Sequence, residues 1–198
     1  MLDLDEVRAF FDARAEKWDE ISEADDVKIE ELLDNLGVRE NMRVLDVACG
    51  TGVLIPHYLR RKVESVTAID LSPAMISVAK KKHSYGNVTF LTGDVMAAAF
   101  DGKFDAIMIY NAFPHFSEPE RLIARLSDLL NDGGRLAVAH GASRKAIDAH
   151  HNSEARGVSM GLMEAEALAS LFEKTLNVTT VLSDDRLYEV VGEKRQSS

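Results

Sequence analysis

Two sets of residues in this chain have types and spacing suited to chemistry. The first begins with Asp46-Val47-Ala48-Cys49-Gly50-Thr51-Gly52, two glycines directly after an apolar run. A missing Cβ there lets backbone come close to a ligand, and it equally permits tight strand-to-helix packing. A nicotinamide-type loop needs a third glycine where Ile55 stands, so that cofactor is disfavoured. Asp70 closes the next apolar run, placed to accept hydrogen bonds from both ribose hydroxyls of a nucleoside or to serve as the acid ahead of a helix. Asp94, in Gly93-Asp94-Val95, can accept from an adenine amino group or simply make a turn. The second set is His115, His140, His150 and His151, together with Asn111. A histidine titrates near neutrality and can act as a general base, and three neutral imidazoles can bind a divalent metal.

The elements that must carry these residues follow from periodicity. Leu4, Val7, Phe10, Phe11 and Trp18 recur at helical spacing, as do Ile29, Leu32, Leu33 and Leu36 before Gly37, so two amphipathic helices come first. Short apolar runs then predict buried strands at 44–47, 65–70, 88–91, 104–110 and 135–139. Helices are predicted between them at 53–61, from the Ser72-Pro73 start, and from the capping-box sequence Ser117-Glu118-Pro119-Glu120 to the turn Asn131-Asp132-Gly133-Gly134. A loop or short helix spans 143–163, a helix 164–175, and strands at 178–182 and 187–191 follow with no helix between them.

Strands alternating with helices imply a doubly wound α/β fold, its parallel sheet covered on both faces and an antiparallel hairpin at one edge. In such sheets ligands lie across the carboxyl ends of the strands, which is where Gly50, Asp70, Asp94, Asn111 and His140 fall. His115, His140 and the 150–151 pair are then expected to converge at one mouth.

Composition bounds the rest. A chain of 198 residues with 46% hydrophobic and 28% charged residues reads as one folded domain, 1–198, with 1–37 as a helical cap. A formal charge of −10 disfavours nucleic acid. The single cysteine, Cys49, excludes an internal disulfide and a cysteine zinc cluster. An acidic N-terminus and short apolar runs give neither a leader nor a membrane span, so the expectation is a cytoplasmic monomer or homodimer acting on a small molecule.

Val44 to Gly52, Ala68-Ile69-Asp70-Leu71-Ser72, Gly93-Asp94-Val95 and Asp132-Gly133-Gly134-Arg135-Leu136 resemble, in order, the motifs of class I S-adenosylmethionine-dependent methyltransferases. The resemblance covers residues 40–140 most strongly, and its broad neighbours are the ubiquinone/menaquinone-type enzymes. It implies a Rossmann-like seven-stranded sheet in the order 3-2-1-4-5-7-6, with the seventh strand antiparallel. It also implies that Gly50 and Gly52 lie against the methionine part of the cofactor, that Asp70 holds the ribose, and that Leu71, Asp94 and Val95 frame the adenine. Asp46 would orient the glycine loop and the cofactor's amino group, and Ala48 stands where the family has glycine. Methyl transfer needs a positioned nucleophile and, where that nucleophile is protonated, a base, for which Asn111, His115, His140 and His150 are the candidates. The segment after Tyr110 lacks the Asn/Asp-Pro-Pro-Tyr/Phe sequence of enzymes acting on nucleic acid or protein amides. Two other readings stay open: metal-assisted transfer by the histidine group, and a non-catalytic S-adenosylmethionine-binding sensor or partner protein.

Overall fold

The computed structural model describes residues 2–22, 24–153 and 157–196, with the backbone alone for 150–153. Seven strands form one sheet in the order β3-β2-β1-β4-β5-β7-β6. Their ranges are β1 Arg43–Val47, β2 Ser65–Asp70, β3 Val88–Thr92, β4 Phe104–Tyr110, β5 Leu130–His140, β6 Leu176–Ser183 and β7 Tyr188–Lys194. β1 pairs in parallel with β2 and β4, and β7 runs antiparallel to both β5 and β6. This is the order and the reversed strand that the motif resemblance implies.

Side chains alternate across each strand, so the sheet sorts its residues into two cores. Leu45, Val47, Ile107, Ile109, Leu136 and Val138 face one layer. That layer is made by α6 (Pro119–Asp128) and α8 (Ala165–Phe172). Val44, Ala68, Met108 and Ala139 face the other, made by α3 (Asp26–Leu36), α4 (Ile55–Arg60) and α5 (Pro73–Lys82). Burying leucines such as Leu32, Leu33 and Leu36 contributes about 1.5–3 kcal/mol each, which is what holds α3 to the sheet.

The expected 1–37 cap therefore divides. α3 is a core helix, while α1 (Leu4–Asp12), a 3₁₀ turn at Ala15–Lys17 and the short α2 (Trp18–Ile21) lie across the strand ends. α7 (Arg144–Ser153) completes the set.

Two local expectations change. Helix α6 begins at Pro119 with Glu118 as N-cap and no side-chain cap bond, so Ser117 and Glu120 form no capping box. Proline favours the first helical position, which moves the start one residue on, and Glu118 instead pairs with Arg121 at 2.7 Å. The 131–134 turn becomes an irregularity inside β5: the ladder with β4 jumps from Phe104–Leu130 to Ala106–Arg135. Other signals act as read. Gly37 caps α3 at φ 80°, and the Ser72 hydroxyl caps α5 by accepting from the Met75 N–H at 3.0 Å.

Candidate active site

The chain leaves β1 through alternating left-handed residues, Ala48 at φ 54°, Gly50 at 55° and Gly52 at 84°. Glycine takes this conformation freely, whereas Ala48 holds it at about 1–2 kcal/mol of strain. Gly52 has a second reason to be glycine, since a Cβ there would lie 2.8 Å from Cδ2 of His83.

Asp70, the last residue of β2, fastens this loop. Its Oδ2 accepts the Gly50 N–H at 2.8 Å and its Oδ1 accepts the Ser72 N–H at 2.8 Å. One carboxylate thus joins the glycine loop to the start of α5, and each oxygen keeps a lone pair. Burial raises the Asp70 pKa, the Asp12 charge adds to the rise, and the two N–H bonds oppose it.

Asp46 lies behind the loop. Its side chain shares a face with Val44 and is 2% exposed, outside the cavity wall. Its Oδ2 has no hydrogen-bond partner among the described residues. Burial first, and then the Asp70 charge, push its pKa up to about 8. The resemblance gives Asp46 two roles, orienting the glycine loop and the cofactor's amino group; the period of two in β1 places its side chain under the loop.

A cavity of about 320 Å³ opens in front of these groups. Along the strand ends its wall runs through Gly50, Asp70, Leu71, Asp94, Val95 and Asn111. Asp94 makes a turn as well as facing the cavity, its Oδ1 accepting the Met96 N–H at 2.9 Å. Asn111, left-handed at φ 53°, ties two strands: its N–H donates to Ala139 O at 2.9 Å and its Oδ1 accepts the Gly141 N–H at 3.0 Å. The opposite wall comes from the cap, through Leu4, Val7, Phe11 and Trp18.

Among the described residues, His115 is the histidine that lines this cavity. A carbonyl oxygen can only accept, so the 2.7 Å contact with Val158 O places the proton on Nδ1, and the basic nitrogen of the neutral ring is Nε2. Phe11 meets the ring edge-on at 4.9 Å between centroids. His140 is elsewhere. It is 2% exposed and points into the α6–α8 layer beside Tyr188, with centroids 5.8 Å apart. The expected convergence of His115 and His140 does not occur, because alternation along β5 turns residue 140 to the same side as Leu136 and Val138. The side chains of His150 and His151 lie outside the described residues. Among the described residues no three His, Cys, Asp or Glu side chains group to hold a metal.

Sequence reasoning passed over Tyr110, Asp12, Asp19 and Thr51. Tyr110 lines the cavity, its hydroxyl 2.6 Å from where a Cβ on Gly141 would stand, and as the last residue of β4 it sat at a readable position. The three others gain their partners only through tertiary packing, Asp12 at Ser72 and Asp19 at Thr51.

Comparison with known proteins accords with this geometry. Residues 44–134 match the model of a methyltransferase domain. Demethylmenaquinone methyltransferase from Renibacterium salmoninarum is 33% identical over 141 residues, 68% of this chain and 58% of that protein's own length. A chain solved in complex with the Haloferax volcanii Trm112 methyltransferase activator superposes with a TM-score of 0.81 at 19% identity, covering 94% of this chain and 98% of the other. The N-methyltransferase NodS from Bradyrhizobium japonicum in complex with S-adenosyl-L-homocysteine gives 0.74 at 13% identity, with 98% of each chain covered. The fold is thus that of a Rossmann-like methyltransferase domain. The chain belongs to the class I S-adenosylmethionine-dependent methyltransferase family.

The residues present fit that family's cofactor. Gly50, with no Cβ on the cavity wall, the Asp70 carboxylate at the end of β2 and the Asp94 carboxylate after β3 make an acidic cradle for a ligand that carries ribose hydroxyls and positive charge.

Proposed function

We propose that the protein transfers a methyl group from S-adenosylmethionine to a small, largely apolar acceptor held near the end of β4. The observation that carries this reading is one cavity in which the glycine loop, Asp70 and Asp94 stand in strand order, closed on its far side by apolar residues of the cap. When bound, the cofactor supplies a methyl carbon activated by a sulfonium. Asp70 then accepts from the ribose while keeping its grip on Gly50 and Ser72, and Leu71 and Val95 flank the adenine. Asp46, at one remove, lies beneath the loop, where the positive charge of a bound cofactor would favour its ionised form.

Asn111 holds the ends of β4 and β5 in register, which fixes the floor on which the acceptor rests. His115, its Nδ1 proton committed to Val158 O, presents Nε2 as the base for a hydroxyl or thiol nucleophile. An activated ring carbon, as in the demethylmenaquinone of the Renibacterium relative's name, needs orientation more than a base. Phe11, Phe116 and Leu122 keep water from the reacting end.

A second reading is supported by the likeness to a chain that assembles with an activator: catalysis that requires a partner subunit. Calorimetric titration with S-adenosylmethionine and S-adenosylhomocysteine tests the cofactor assignment, with micromolar binding expected. Transfer of tritiated methyl to small phenols, thiols and quinol precursors tests the acceptor class. Binding without transfer to any of them, restored by an added activator subunit, would favour the second reading; no binding of either ligand would refute both.

A further inference from the structure

Two carboxylates of the cap, Asp12 and Asp19, reach α5. Asp12 accepts the Ser72 hydroxyl and, at 3.2 Å, the Ala74 N–H at the first turn. Asp19, seven residues on, accepts the Lys82 ammonium at the last turn at 2.6 Å and the Thr51 hydroxyl at 2.6 Å. Thr51 is the middle residue of the glycine loop and is 2% exposed, its hydroxyl 3.4 Å from the same Lys82 nitrogen. Trp18, next to Asp19, forms part of the cavity wall. Its indole nitrogen is 3.7 Å from the point a Cβ on Gly50 would occupy. Asp19 itself stays outside that wall.

Three elements distant in sequence meet at one side chain, and one of them, the cap, forms the far wall of the cavity. We propose that Asp19 is a positioning residue for the cofactor: by gripping Thr51 and Lys82 together it closes the cap over the glycine loop and sets the residence time of the bound cofactor. The inference rests on the cofactor reading given above. Asp19 is half-exposed, and ion pairs in such surroundings are weak, which suits a clasp that has to open in each cycle. Burial works against ionisation of Asp19, yet the Lys82 and Thr51 bonds keep its carboxyl below the usual range, so the clasp stays charged at neutral pH. Asp12 anchors the other end, so loss of the Asp19 contacts frees the Trp18 end of the cap without detaching α1.

The test uses the full chain and S-adenosylhomocysteine. Trp18 is the single tryptophan, so its fluorescence reports closure directly, and a chase of tritiated S-adenosylhomocysteine measures release independently. Thr51→Val is expected to release the ligand about tenfold faster, the effect of one charge-assisted hydrogen bond, and Asp19→Ala, which also gives up Lys82, at least as fast. Thr51→Ser, which keeps the hydroxyl, is expected to restore parental release. The melting temperature of unliganded Asp19→Ala should stay close to the parent's, since a half-exposed side chain adds little to global stability, and Thr51→Val keeps the volume of the buried side chain. Release within twofold of the parent in both Asp19→Ala and Thr51→Val would overturn the proposal, as would release from Thr51→Ser as fast as from Thr51→Val. A parent that binds no S-adenosylhomocysteine by calorimetry would instead overturn the cofactor reading, and the clasp with it.

Discussion

Replacing Asp70 by asparagine removes no atom from the site, yet the geometry requires a large effect. Both carboxylate oxygens accept a backbone N–H at 2.8 Å, one from the glycine loop and one from the start of α5. An amide has one acceptor oxygen, so in either orientation its NH₂ faces one of these donors. One charge-assisted hydrogen bond is lost and the other becomes neutral, a penalty of about 1.5–3 kcal/mol. If Gly50 and the ribose share that carboxylate, the penalty appears in cofactor binding as a loss of about 10- to 150-fold in affinity. Titration calorimetry with S-adenosylhomocysteine at 25 °C reads this directly, with circular dichroism to confirm that Asp70→Asn is folded. A folded variant whose Kd stays within threefold of the parent's would refute the reasoning: the loop would then be held by something other than Asp70, and the ribose assignment would fall with it.

Other expectations follow from the same geometry. Gly52→Ala forces a left-handed alanine whose Cβ lies 2.8 Å from His83, and calorimetry should show at least about tenfold weaker binding of S-adenosylhomocysteine. With an acceptor that turns over, His115→Gln should lower kcat by about 10²-fold or more while leaving S-adenosylhomocysteine affinity within about twofold; equal loss of both would make the residue structural. His140→Ala should lower stability by about 1–3 kcal/mol in urea unfolding, with turnover per folded molecule retained. Glu189 is fully buried, one oxygen held by Asn35 at 2.8 Å and the other without a partner among the described residues, and burial pushes its pKa from 4.5 up to about 8. Between those values the folded state keeps a proton that the unfolded state gives up, so stability falls as pH rises through this window. From pH 5 to 7.5 the loss from Glu189 is about 3 kcal/mol, and Glu189→Gln should remove that share of the slope and leave the one from Asp46; an unchanged pH dependence would sink the assignment.

The parts of the site legible beforehand are those whose reason is local. Gly50 and Gly52 announce a conformation that other residues avoid, and Asp70 and Asp94 sit where apolar runs end, which in a parallel sheet is where ligands bind. The Ser72-Pro73 start and the Gly37 stop were readable because a cap depends on its own few residues. The α6 start was displaced by one residue because two local preferences, a capping serine and a first-turn proline, competed for it.

The histidines show where such reading ends. His115 and His140 were both expected at one mouth because both follow strand ends, yet His140 belongs to the regular part of β5 and takes the side that alternation assigns it, while His115 sits on a turn and is free of that rule. Nothing local marked Asp19 and Thr51 as partners 32 positions apart.

The order of strands and helices, the glycine loop and the acids at the strand ends were determined by the sequence alone, because periodicity, capping and left-handed backbone are properties of a few consecutive residues. Which side of the sheet Asp46 and His140 face, which histidine meets the cavity, and how the cap fastens to the loop were decided only by tertiary structure. Those outcomes depend on the side-chain faces of paired strands and on contacts between segments whose separation along the chain leaves no local trace.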